Sequence, residues 1–221
     1  MKYNFDEFVD RKNTACVKWD SLEPNYGSKD ILPMWVADMD FKSSHEIINA
    51  LKERVEHGVF GYNFIPDSTY DSIISWVKTR YNWDIKKEWI LFMPGVVAGF
   101  NLGIRILTEE NDGVIIQPPV YPPFFRVINN NKRTLITNPL TVENGKYTID
   151  FHDLEKKIKS AKVLLLCSPH NPVGRVWSRE ELERLAKLCI ENNVFVISDE
   201  IHCDLIFKGY KHINIASLSK D

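Results

Sequence analysis

The 221-residue chain is 44% hydrophobic and 26% charged, with a formal net charge of −2 and a pI near 6.3. That balance is ordinary for a globular protein, and the length permits one large domain or two small ones. A slightly acidic chain with scattered Lys and Arg argues against nucleic acid or anionic membrane as the main partner, since both usually need a basic surface. No apolar stretch reaches the length of a membrane span, and residues 1–7 lack the apolar core of a secretion signal. Cys16, Cys167, Cys189 and Cys203 show no CxxC spacing, so a reduced, cytoplasmic setting is the simplest reading.

From about residue 44 the chain alternates helix and strand patterns. Ser43 and Glu46 have capping-box spacing ahead of Ile47, Ile48, Leu51 and Val55, and Gly58 follows as a stop signal. Asp67 or Ser68 caps a second helix bearing Tyr70, Ile73, Ile74 and Val77. A short apolar run, residues 89–93, reads as a strand, and Pro94-Gly95 leads from it into a helix of small and apolar residues. Val114 to Ile116 and Arg133 to Thr137 are strand-like, with a helical stretch from Val120 to Asn130 between them. Asn144-Gly145 between two alternating runs predicts a hairpin. A helix from about Asp153, a strand over 163–167, a helix capped by Ser178 with Glu181, and a strand over 194–198 complete the pattern.

Unbroken apolar runs alternating with helices predict a mainly parallel sheet buried on both faces. In such sheets ligands bind beyond the carboxyl ends of the strands. Three runs end in polar or Gly/Pro-containing loops there: residues 94–97, 168–174 and 199–202.

Several residues in these loops suit a flat, charged ligand, although each has a plainer reading. Asp199 directly follows a buried strand; alone it is a turn carboxylate, but it could also face a protonated ring nitrogen. His202 is a loop residue or a hydrogen-bonding partner for a ring substituent. Asn171, in Asn-Pro-x-Gly, is a turn residue or a donor to a phenolic oxygen. Tyr121, fixed between prolines, packs or stacks on a flat ring. Val96 and Val97 open a helix whose free N–H groups suit a phosphate. Tyr62 packs or offers a hydroxyl to a phosphate.

Taken in order, the segments 32–41 (Leu-Pro-Met-Trp-Val-Ala-Asp-Met-Asp-Phe), 57–62, 118–121, 165–174 and 196–202 resemble the fold type I pyridoxal-phosphate (PLP) enzymes of the class I/II aminotransferase superfamily. The branch they resemble most is that of the MalY/PatB-type cystathionine β-lyases. The resemblance implies an α/β, aspartate aminotransferase-like fold: a mainly parallel sheet flanked by helices, incomplete at its C-terminus. Residues 1–43 would be the N-terminal segment of the small domain and 44–221 a partial large, PLP-binding domain. It further implies that Asp199 pairs with the pyridine nitrogen, Asn171 donates to the phenolic oxygen and Tyr121 stacks on the ring. Val96 and Val97 would meet the phosphate, His202 would join the cofactor contacts, and Tyr62 would reach the phosphate of the partner subunit in a homodimer. The implied chemistry is α,β-elimination from cystathionine or another cysteine S-conjugate. An aminotransferase of the same fold and a non-catalytic interaction fragment are the alternatives.

The resemblance also implies a cofactor-anchoring lysine beyond a further strand. Ser217-Leu218-Ser219-Lys220 mimics the pattern around that lysine, but Phe207 to Ser219 holds no apolar run for the strand. Lys220 is therefore rejected in that role. The expectation is a chain that stops before its lysine and is inactive alone, with the strands still to come inserting between the 89–93 run and the Asp199 strand.

Overall fold

Helix signals and apolar runs become elements at most of the expected positions in the computed structural model, which describes residues 3–218. Two compact units are present, Met1–Phe64 and Ile65–Asp221. In the first, two short helices, α1 (Val17–Asp20) and α2 (Leu22–Tyr26), precede α3 (His45–His57). Ser44, not Ser43, caps α3, because its side chain is the one that accepts from the third helical amide, Ile47 N. Gly58 ends α3 with φ +74° in the left-handed region, as expected. The Ile47, Leu51 and Val55 stripe is more than half exposed within this chain. Ahead of α3, Asp40 gathers Lys18 Nζ at 2.6 Å, Arg11 Nη1 at 2.7 Å and Trp19 Nε1 at 2.9 Å. Those donors, Lys18 foremost, hold the Asp40 carboxyl well below the usual range.

The second unit begins with α4 (Asp67–Tyr81) and α5 (Val96–Leu107). It then alternates β1 (Gly113–Ile116), α6 (Pro123–Asn130), β2 (Thr134–Thr137), the hairpin β3 (Thr141–Glu143) and β4 (Lys146–Thr148), α7 (Phe151–Lys157), β5 (Val163–Cys167), α8 (Arg179–Glu191) and β6 (Phe195–Asp199). The main sheet has the order β2-β1-β5-β6 with every pairing parallel. The hairpin turns on Asn144 and Gly145, both at positive φ, which matches the twist of the strands it joins.

Alternation along the strands divides the core in two. On one face Ile115, Leu164 and Leu166 pack with Leu154 of α7, Leu182, Leu185 and Cys189 of α8, and Trp177. On the other Val114, Ile116, Val163, Leu165 and Cys167 pack with Phe100 and Ile104 of α5 and Phe124, Val127 and Ile128 of α6. Every residue of β1 and β5 is buried, because each strand has a neighbour on both sides and helices over both faces.

One expected strand does not form. Trp89 ends a single 3₁₀ turn, and residues 90–93 run without ladder bonds, with Leu91 79% and Phe92 48% exposed. A strand exists only by pairing, and among the described residues no strand pairs with this run. For the same reason β6 is an edge of the sheet.

Candidate active site

The carboxyl ends of β5 and β6 bring the candidate residues together. Asp199 closes β6 in register with Cys167 at the end of β5, and Ser168 N donates to Asp199 O at 2.9 Å. Ile197 packs on the Phe100/Phe124 side of the sheet, so by the two-residue period Asp199 faces that side as well. The Asp199 carboxyl is buried, and Ile201 N donates to its Oδ1 at 3.2 Å. Among the described residues no lysine or arginine pairs with it. Burial drives its pKa up, and neighbouring Glu200 adds to the rise, while the Ile201 amide and His202 oppose it.

Two loops flank this carboxylate. In the first, Tyr121 packs on the same side of the sheet, edge-on to Phe124 at 6.3 Å between ring centroids. In the second, Asn171 N donates to Cys167 Sγ at 3.3 Å, which seats Asn171 at the strand end next to Asp199. The buried His170 joins the loops: its Nε2 lies 3.0 Å from Pro119 O. A carbonyl only accepts, so that nitrogen carries the hydrogen. Burial lowers the His170 pKa, in keeping with a neutral ring. Burial also pushes the Cys167 thiol up to about 12, which leaves it protonated and free to donate to Pro169 O at 3.4 Å.

The start of α5 reaches the same end of the sheet. At its far end, Thr108 accepts from Arg133 Nε at 2.8 Å, and Arg133 immediately precedes β2, so α5 ends beside the amino ends of the strands. A helix of this length rises about 18 Å, which carries Val96 and Val97 back toward the carboxyl ends. Midway, α5 lies so close to β6 that a Cβ on Gly103 would stand 3.0 Å from Ile197 Cδ1. The entry to α5 is Gly95, at φ +125°, and among the described residues no side chain caps it. Its first amides are therefore open to a ligand.

Asp199, Asn171, Tyr121, Val96 and Val97 thus gather at one end of the sheet, and His202 follows in the turn after β6. Tyr62 is in the first unit with its side chain fully exposed. Lys220 lies outside the described residues. Sequence reading passed over three residues of the site. It gave neither Cys167 nor His170 a role there. It also missed Trp177, whose Nε1 donates to Cys167 O at 2.9 Å. The one available signal was their position within or beside the residue 168–174 loop.

The chain as a whole has counterparts among known proteins. Residues 29–221 match the family model described as aminotransferase class I and II. The chain belongs to that family. It is 48% identical, over 99% of its length, to the cystathionine β-lyase PatB of Bacillus subtilis, of which it covers 57%. A PLP-bound protein of Clostridium difficile 630, provisionally named an aminotransferase, superposes with a TM-score of 0.96 at 52% identity, covering 99% of this chain and 57% of that one. The PLP-bound C–S lyase of Staphylococcus hominis gives 0.91 at 37% identity, covering 98% and 56%. The chain therefore spans little more than half the length of these family members.

Proposed function

We propose that this chain supplies the larger part of a PLP site in a carbon–sulfur β-lyase that eliminates a thiol from cystathionine or a related cysteine S-conjugate. The observation that carries the reading is the buried Asp199 carboxylate at the end of β6, which has no cation partner among the described residues. A desolvated carboxylate in that condition suits a protonated ring nitrogen, which would restore its charge balance. The uncapped start of α5 suits the phosphate of the same group. The residues present therefore fit PLP.

Bound there, PLP would supply the electron-withdrawing ring that amino-acid chemistry at Cα requires. Asp199 would hold the proton on the ring nitrogen. The Asn171 amide would donate to the phenolic oxygen, Tyr121 would cover one ring face, and the Val96 and Val97 amides would receive the phosphate. His202 would add a contact from the turn after Asp199. In the whole protein, Tyr62 would reach the phosphate held by a partner subunit, making the enzyme a homodimer. Residues 1–43 would belong to its small domain and 44–221 to its large one, and its working place would be the cytoplasm. Similarity to a named cystathionine β-lyase supports elimination over transamination. The provisional name of the Clostridium difficile protein favours the second reading, an aminotransferase.

Product analysis on the full-length enzyme separates the two. Incubation with cystathionine should release pyruvate and a thiol with no keto acid added. Turnover that requires an added keto acid, with no thiol released, would reassign the enzyme to transamination.

A further inference from the structure

On the sheet face opposite Asp199, the next residue is tied down more heavily than any other in the turn. Glu200 Oε1 accepts from Ser198 Oγ at 2.9 Å and from Ile215 N at 3.2 Å. Its Oε2 accepts from His212 Nε2 at 3.1 Å and from Asn214 Nδ2. His212 and Asn214 are themselves buried, and among the described residues His212 Nδ1 and Asn214 Oδ1 have no hydrogen-bond partner. These side chains therefore have Glu200 as their main attachment.

The need for such an anchor follows from the topology. β6 pairs only with β5, and no strand lies on its other side among the described residues, so ladder bonds restrain its end from one direction alone. Residues 212–215 brace it through Glu200. The far end of the turn is held separately: Asp204 accepts from Trp76 Nε1 at 3.1 Å and from Tyr81 Oη, both on α4. Tyr81 meets His212 edge-on at 5.5 Å between centroids, so the two anchors touch.

We propose that Glu200 is a positioning residue: gripped by four donors on the face opposite Asp199, it fixes the strand end from which Asp199 addresses the ring nitrogen of the cofactor. This rests on the PLP reading above. The charged or titratable groups that act on the Asp199–Glu200 pair are His202, the Cys167 thiol, the Cys203 thiol and His212.

The test uses pyridoxamine 5′-phosphate, which needs no lysine to be held, and follows the near-ultraviolet band of the bound ring against pH. In the wild-type protein the ring should keep its proton to higher pH than the free ligand does. Asp199→Asn should abolish that retention; if it does not, the ring-nitrogen assignment fails, whatever Glu200 does. Glu200→Ala and Glu200→Gln remove the same charge, but the glutamine can still accept from part of the donor set. Positioning therefore predicts that Glu200→Ala lowers the ring-proton midpoint by about one pH unit, a tenfold loss of proton affinity, and that Glu200→Gln recovers part of it. Equal shifts in both variants would reduce the effect to charge and overturn the proposal, as would no shift in either. Should Glu200→Ala not fold, the Ser198→Ala/Asn214→Ala pair removes two donors and leaves the charge. A lowered midpoint there supports positioning, and an unchanged one overturns it.

Discussion

Trp177→Phe is the most informative single change for the packing that supports the site. The indole is 1% exposed, donates to Cys167 O at 2.9 Å, meets His170 edge-on at 5.4 Å and lies beneath the Arg175 guanidinium at 4.7 Å. Phenylalanine keeps an aromatic body but has no N–H. Leaving the carbonyl of a buried residue without this donor costs about 1–3 kcal/mol, and the packing atoms lost with the smaller ring add roughly 1 kcal/mol. The sum, about 2–4 kcal/mol, corresponds to a fall in Tm of roughly 6–12 °C for a unit of this size. Thermal unfolding followed by circular dichroism, with urea titration as a check, measures it directly. Since His170 and Cys167 both lean on this indole and both border Asn171, the variant should also release bound PLP faster in dialysis. A Tm within about 1 °C of wild type would show that the carbonyl has another donor and that the indole does not support the loop.

Three further outcomes are expected. A Cβ on Gly113 would stand 2.2 Å from Ser160 O and 2.6 Å from Ile136 Cδ1; the first neighbour is backbone that cannot swing aside, so Gly113→Ala should cost at least several kcal/mol and leave little soluble protein, and normal soluble yield with an unchanged Tm would contradict it. The folded-state pKa of Asp199 is raised, so its neutral form favours folding at low pH, and that benefit is lost as pH rises out of the ordinary carboxyl range toward the raised value. Asp199→Asn without ligand should therefore match wild type in acid and become the more stable of the two as pH rises; a Tm difference constant with pH would refute the assignment. Finally, PLP should not be held covalently by Lys220: an absorbance band that survives dialysis and vanishes in Lys220→Ala would overturn its rejection.

Local chemistry was readable where a residue acts through its neighbours in sequence. Ser178 and Glu181 form the capping box their spacing implies, and Asn144-Gly145 makes the hairpin turn. β5 was legible because a strand covered on both faces has no polar position, so Val163–Cys167 is an unbroken apolar run. The grouping of Asp199, Asn171 and Tyr121 followed from the rule that parallel strands present their following loops at one end. Their joint face did not: it depends on the pleat phase of β6, seen only once Ile197 is packed.

What tertiary structure alone decided is whatever needs a distant partner. The 89–93 run has a strand's composition but no ladder, because pairing belongs to the neighbour and not to the run. Glu200 has no local signal of its role: three of its four donors arrive from 12 to 15 residues further on with no period to announce them. His170 meets Pro119 across 51 residues. The sequence by itself determined most of the elements, the family and which side chains end the parallel strands, since these are written in spacing and composition. The fold decided which face those side chains share and which buried groups hold them there, since desolvation and hydrogen-bond geometry exist only once the strands have met.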